Sequence, residues 1–517
     1  MRQIIAFLLL TIPLWANAQR EDVMRGDCTP GLNEGQQTRG MMRRLPPINT
    51  DWDPQQVYRQ AVVLISFADK DFSMENPRET YDSIFNYRGF NKGAGLGCVA
   101  DYFRDQSGGL LNLQFDVFGP YKVSQNAKKD ANADSNTREY GRDAMTEATK
   151  MWLAEDSTRS YRDYDWNNDT YVNQVIFIYA GYTGNQSKEH CYGCIWPNTS
   201  SFYRIKTPDG FSISDYTCSG ELRSNDKSWG IGTICHEFTH SLGLPDIYPT
   251  SSNSGYSMVD EWDLMDGGNF TNSGWCPPNY SGQQRMLMGW QTPIELTEPT
   301  TITDMKPLSE GGPVYLVRHT DNEYYLLENR QWTGWDARLP GRGLVVFHVD
   351  YNASQWMGNR VNNDTTRRGY QLVHADNLDY DAWVALYTGG GKLKYTSGHN
   401  PFLSTSAYPW STDSTDFVND HLTDSSMPAS LMYNKNEAGS DYLSKAITNI
   451  RVSDDGLVSF DFMKEELDAV STPSLTAQPT RVYNLRGYCV GSRLESQRPG
   501  IYIIRYADGT TKKVVKR

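Results

Sequence analysis

The stretch GTICHEFTHSLGLPDIY, residues 232–248, constrains the fold more than any other part of this 517-residue chain. At 100° per residue, Ile231, Ile234, Cys235, Phe238 and Leu242 fall in a stripe about 100° wide, with His236 and His240 on the opposite face about 40° apart. Such a helix must bury one side against a core. Its other side carries two imidazoles one turn apart, the spacing at which two ring nitrogens reach one zinc ion at about 2.0–2.1 Å. Glu237, about 100° further round, can reach a water beside that metal without ligating it. Gly243 can take a positive φ and end the helix, and Pro245 prevents it from resuming, so the chain can turn back and present Asp246 as a third ligand. The competing account is a structural helix carrying two buried, hydrogen-bonded histidines.

The chain opens MRQIIAFLLLTIPLWANAQ, with Arg2, an apolar run from Ile4 to Trp15 and the small-residue signature Ala16-Asn17-Ala18. That pattern predicts a secretory signal peptide over residues 1–18 and an exported protein. No other stretch approaches the roughly 20 apolar residues of a membrane span. Net charge is -13 with both signs interspersed and no long Lys/Arg block, which argues against a nucleic-acid partner. Cys191 and Cys194 form a CxxC beside His190, but no second pair at metal-site spacing follows. A disulfide to Cys218 and two unpaired thiols both remain open.

Residues 19–57 read as a loose arm or pro-segment. From 58 to 292, apolar runs of strand length (AVVLISF, LLNLQFDVFG, VNQVIFIYAGY) alternate with helical patterns (VADYFRDQ, and REYGRDAMTEATKMWL with Ala144, Ala148, Met151 and Trp152 on one face). From 293 to 467 the texture turns to short strands, TITDMKPL, PVYLVRH, EYYLLENR, GLVVFHVDY and YQLVHAD, predicting a β-rich region packed on the first. Residues 468–480 read as a linker, and 481–517 as short strands with a hairpin turning at ADGT. The expected class is α+β.

The spacing H-E-x-x-H-x-x-G-x-x-D resembles the extended zinc signature of metzincin-like peptidases, and Met265 in EWDLMDGG looks like the Met-turn of that clan. CHEFTHSLGLPDIY with WDLMDGG is similar to the M6 family of bacterial metalloendopeptidases, the immune inhibitor A group. GCVADYFRDQSGG, DWNNDTYVNQVIFIYAG and YYLLENRQWTGWDARLPGRGLVVFHVD extend the likeness over roughly residues 58–380. The resemblance implies a zincin-like catalytic domain over 58–292, His236 and His240 as zinc ligands, Glu237 as general base, and protein or peptide substrates. Asp246 is the favoured third ligand. Glu328, in EYYLLENR, is the alternative, since a buried carboxylate there needs Arg330 or a metal as partner. The strand VIFIYAG could pair with an extended substrate if it lies at a sheet edge.

Asp163, Asp165, Asn167 and Asp169 occupy alternate positions as in a calcium loop, although Asn168 and Gln174 stand where such a loop has Gly and Glu. An ordinary polar turn is the alternative. Asp27 and Cys28 in the arm could cap the zinc and hold the protein latent. Residues 481–517 resemble the C-terminal sorting domain of type IX secretion substrates in Bacteroidetes, which implies that machinery as a partner and an extracellular or outer-membrane-surface location. The 32 Tyr and 14 Trp allow carbohydrate binding within 293–465, though aromatics also simply favour sheets. The other class of function is a surface adhesin or binding protein on an inactive peptidase scaffold. The complete His236-Glu237-His240 set argues against it.

Overall fold

The computed structural model describes residues 45–516 apart from 93–94, 130–136, 187, 252–256, 388–400, 412–417, 465–478, 485–486, 495, 499 and 507–510. The apolar N-terminal run read as a signal peptide, and Asp27 and Cys28 of the arm, lie outside the described residues. Among those described, no helix is long and apolar enough to cross a membrane.

Five strands form the first sheet: β1 (Tyr58–Ser66), β2 (Leu113–Lys122), β3 (Val175–Tyr182), β4 (Asn198–Lys206) and β5 (Ser212–Leu222). Their order is β2-β1-β3-β5-β4, parallel except for β4, which runs antiparallel along β5 at one edge. β1 and β3 are buried along nearly their whole length, because a central parallel strand is covered on both faces and continuous apolar runs suit that environment. β2, at the other edge, alternates buried and exposed residues. The reading of VIFIYAG as an edge strand open to substrate is therefore corrected: β3 lies between β1 and β5, and its backbone groups are committed to both neighbours.

One face of this sheet is covered by α1 (Pro77–Asn86), α2 (Val99–Gln106) and α4 (Gly232–Ser241), the other by α3 (Thr137–Glu155). On α3, Ala144, Met145, Ala148 and Trp152 are buried while Met151 is 36% exposed, so the buried stripe is rotated toward Met145 from the one read in the sequence. A short α5 (Gly282–Leu287) follows, capped by Ser281 and Gln284 reciprocally.

The region after residue 292 holds a second sheet made from β6 (Ile294–Glu295), β8 (Val314–Arg318), β9 (Glu323–Arg330), β10 (Gly343–Asp350) and β11 (Tyr370–Leu372), in the order β11-β10-β9-β8-β6. β7 (Thr300–Met305) joins β14 (Ile447–Val452) and β15 (Val458–Phe462) in a three-stranded sheet, and β12 (Trp410–Ser411) pairs with β13 (Val418–Asn419). A short α6 (Ala353–Met357) lies between β10 and β11. One apolar cluster runs from Val62, Leu64, Ile176 and Ile178 of the first sheet, through Ile234 and Phe238 of α4, to Leu326, Val345 and Phe347 of the second. The core does not break at residue 292.

Residues 465–517 form a separate compact unit. In it β16 (Pro479–Asn484), β17 (Cys489–Gly491), β18 (Gly500–Tyr506) and β19 (Thr511–Lys516) make an antiparallel sheet ordered β17-β16-β18-β19 around Val482 and Ile504. β18 and β19 pair as the expected hairpin does; its turn at 507–510 lies outside the described residues.

Candidate metal centre

The apolar stripe of α4 enters the core as its sequence requires. Phe238 meets Phe103, Phe115 and Trp166 with ring centroids 5.0, 6.3 and 6.4 Å away. Burying such a ring contributes about 1.5–3 kcal/mol and fixes the helix rotation. The opposite face, with His236 and His240, is also buried, because the chain folds back over it through Gly243, Asp246 and Tyr248. Gly243 has φ +104°, and a Cβ there would lie 2.7 Å from the Pro46 carbonyl, so only glycine allows both the turn and the passage of the N-terminal segment across it.

His236 Nδ1 donates to Leu264 O and His240 Nδ1 to Leu244 O, both at 2.8 Å. A carbonyl can only accept, so each ring carries its proton on Nδ1 and directs the Nε2 lone pair inward. Both Nε2 atoms lie 3.1 Å from Asp246 Oδ1. Ligand atoms arranged tetrahedrally at about 2.0–2.2 Å from zinc stand about 3.3 Å apart, so this donor set fits zinc in both chemistry and spacing. Among the described residues it is the one group of three or more His, Cys, Asp or Glu whose ligand atoms lie within 4.8 Å of one another.

The remaining walls come from distant segments. Ile247 N donates to Met265 O at 2.8 Å, tying the returning chain to the turn at 263–266. Asp263 Oδ1 shapes that turn by accepting from Met265 N at 2.8 Å and from Gln284 Nε2 of α5 at 2.6 Å. Buried Met265 thus sits where the backbone that orients His236 through Leu264 turns beneath the site. Glu237 is buried beside edge strand β4, and the Thr199 hydroxyl lies 2.6 Å from its carbonyl oxygen and 3.2 Å from Oε2.

Glu328 is placed elsewhere. It is buried on β9, with Oε2 3.1 Å from Arg330 Nη1 and Oε1 accepting from Gly282 N, and Arg330 also holds Asp336. Its partner is the guanidinium that the sequence offered as an alternative to a metal. Nor does the loop at 163–169 gather its carboxylates. Asp165 accepts from Asp169 N and Thr170 N, Asp169 accepts from Tyr171 N and Asn167 Nδ2, and Asp163 points toward Arg59. Asn168 and Thr170 at φ 58° and 71° complete a turn closed by its own hydrogen bonds, the polar-turn alternative to a calcium loop.

Sequence reasoning missed a second support. Asp246 Oδ2 accepts from Asn359 Nδ2 at 2.8 Å, and Asp246 N donates to Asn359 Oδ1 at 2.7 Å, across 113 residues of sequence. GNRVNND reads locally as a polar turn; no periodicity ties it to the helix.

A helix-borne pair of histidines and a carboxylate closing on both form a group that could hold a metal ion, with a second carboxylate buried alongside. The comparisons find similarity to metallopeptidases. A family model for the immune inhibitor A peptidase M6 catalytic domain matches residues 198–290, which span β4, α4 and the metal centre. The chain is 22% identical over 249 residues to the pre-pro-metalloprotease PrtV of Vibrio cholerae serotype O1 (strain M66-2), covering 42% of this chain and 26% of that protein. It is 25% identical over 273 residues to immune inhibitor A of Bacillus thuringiensis subsp. alesti, covering 43% of this chain and 38% of the other. The chain thus matches well under half the length of either relative.

Proposed function

We propose that this chain is a zinc-dependent endopeptidase in which His236, His240 and Asp246 hold the metal and Glu237 is the general base. The observation that carries the reading is the convergence of two Nδ1-protonated imidazoles on Asp246 Oδ1 at 3.1 Å, with Glu237 next to His236 on the same helix. When bound there, zinc supplies Lewis acidity to a water and to the scissile carbonyl. Glu237 accepts the proton of the attacking water and returns it to the leaving amine. Thr199, holding the Glu237 carbonyl, keeps the base at a fixed depth beside β4. β4 is an antiparallel edge, so its free side can align an extended peptide by main-chain hydrogen bonds, the role β3 cannot take. Residues 481–517 are taken as the sorting module of an exported protein. Their resemblance to type IX secretion substrates supports that reading, as the N-terminal apolar run does the export.

The test pairs zinc content with casein cleavage, in wild type and in Glu237→Ala. Wild type is expected to bind about one zinc and cleave; the variant should retain zinc and lose cleavage by about 10³-fold or more. Zinc-loaded wild type without peptidase activity would overturn the assignment.

A further inference from the structure

We propose that Asn359 is the positioning residue of Asp246 and that the metal affinity of the centre depends on an asparagine clamp in the β-rich region, outside the stretch matched by the peptidase family model. The inference deepens the proposed metallopeptidase reading and rests on it.

Asp246 divides its carboxylate. Oδ1 faces both histidines, and Oδ2 accepts from Asn359 Nδ2. The same Asn359 side chain accepts from the Asp246 main-chain N–H, so one carboxamide grips both backbone and side chain of the residue. Two further asparagines extend the grip. Asn362 Nδ2 donates to Ile247 O at 2.8 Å, Asn363 Oδ1 accepts from Thr250 N at 2.8 Å, and the Thr250 hydroxyl donates to Asn359 O at 2.7 Å. Residues 246–250 are thereby zipped to 359–363 with almost no regular secondary structure in either segment.

The chemistry selects asparagine. The position needs a donor for Oδ2 and an acceptor for the N–H at one end of a short side chain, which a carboxamide supplies and a carboxylate does not. It also sits at φ 54°, in the left-handed region that asparagine tolerates better than most residues. A partner that orients a ligating carboxylate typically changes metal affinity by about 10- to 100-fold when removed.

The experiment measures zinc affinity of the full chain by competition with a chelating dye, in wild type, Asn359→Asp, Asn359→Gly and Asp246→Ala, together with the thermal midpoint of each metal-free protein. Asn359→Asp keeps the acceptor and tolerates the backbone, but sets a carboxylate against Oδ2. Asn359→Gly removes both groups and relieves the left-handed φ. Both are expected to weaken zinc binding about 10- to 100-fold, with metal-free midpoints near that of wild type. Wild-type affinity in both variants overturns the clamp while leaving the metal site standing. Affinity lost only in proportion to a general loss of folding overturns it as well. If wild type binds no zinc, or Asp246→Ala binds it as tightly as wild type, the metal-site reading falls and the clamp falls with it.

Discussion

His374 and Asp376, just beyond β11, show how far burial alone can move a titration. His374 is stacked on Phe402 with centroids 5.9 Å apart, and burial lowers its pKa from 6.5 to about 4. Asp376 is pushed by burial from 3.8 up to about 6, although Thr405 and Leu378 N donate to it. With His374 neutral, the 4.0 Å approach of Nδ1 to Asp376 Oδ1 is not an ion pair. The two groups act on stability in opposite directions. As pH falls from about 6.5 to 4 the unfolded chain protonates its histidine first, so the His374 contribution is lost toward acid. As pH rises from about 4 to 6 the unfolded chain ionises its aspartate first, so the Asp376 contribution is lost toward neutrality. Each amounts to roughly 3 kcal/mol over its full range, and between pH 4 and 6 they nearly cancel. Asp376→Asn should unmask the histidine, with unfolding free energy from urea titrations rising by about 2–3 kcal/mol from pH 4 to 6.5 relative to wild type. His374→Phe should slope the other way. Two variants whose curves parallel wild type would show that these groups do not titrate as assigned.

At the scale of elements, the end of α4 matters as much as its two histidines. Gly243→Ala places a Cβ against the Pro46 carbonyl and the Ile48 side chain at a φ that alanine avoids. The expected cost is about 1–3 kcal/mol of unfolding free energy in urea, accompanied by weaker zinc binding because the turn carries Asp246. Unchanged stability would mean that the N-terminal segment does not cross the helix end as described. This element is legible in the residues themselves: stripe, imidazole face, glycine stop and returning aspartate are all local signals, encoded through periodicity and φ preference. The strands are legible for the same reason, as continuous runs for covered strands and alternation at the edge. Strand order is not. Periodicity reports how buried a strand is, not which neighbour it takes, so VIFIYAG could be read as interior and still be offered to substrate. The calcium reading of 163–169 finds no support for a related reason: alternate carboxylates mark a turn equally well when main-chain N–H groups, rather than a cation, satisfy them.

For the whole molecule, what escaped the sequence is the dependence of the site on residues far from its motif. The family match ends at residue 290, and the change of texture near 292 suggests a boundary to cut at. The core argues otherwise. Ile234 and Phe238 share one apolar cluster with Leu316, Leu326, Trp335, Val345 and Phe347, and the third candidate ligand is gripped by Asn359. Removing everything after 292 would take away the second sheet's share of that cluster and release residues 246–250 from their asparagines. A chain ending at residue 292 is therefore expected to bind a hydrophobic dye, to lack a cooperative urea transition, and to take up no stoichiometric zinc. A chain ending at residue 464, the limit of the larger compact unit, is expected to unfold cooperatively and to bind one zinc. A folded 292-residue fragment with wild-type zinc affinity would contradict both the continuous core and the clamp, since it would contain the motif without either support. The opposite result would locate the functional unit in the combination of two sheets joined through one apolar cluster.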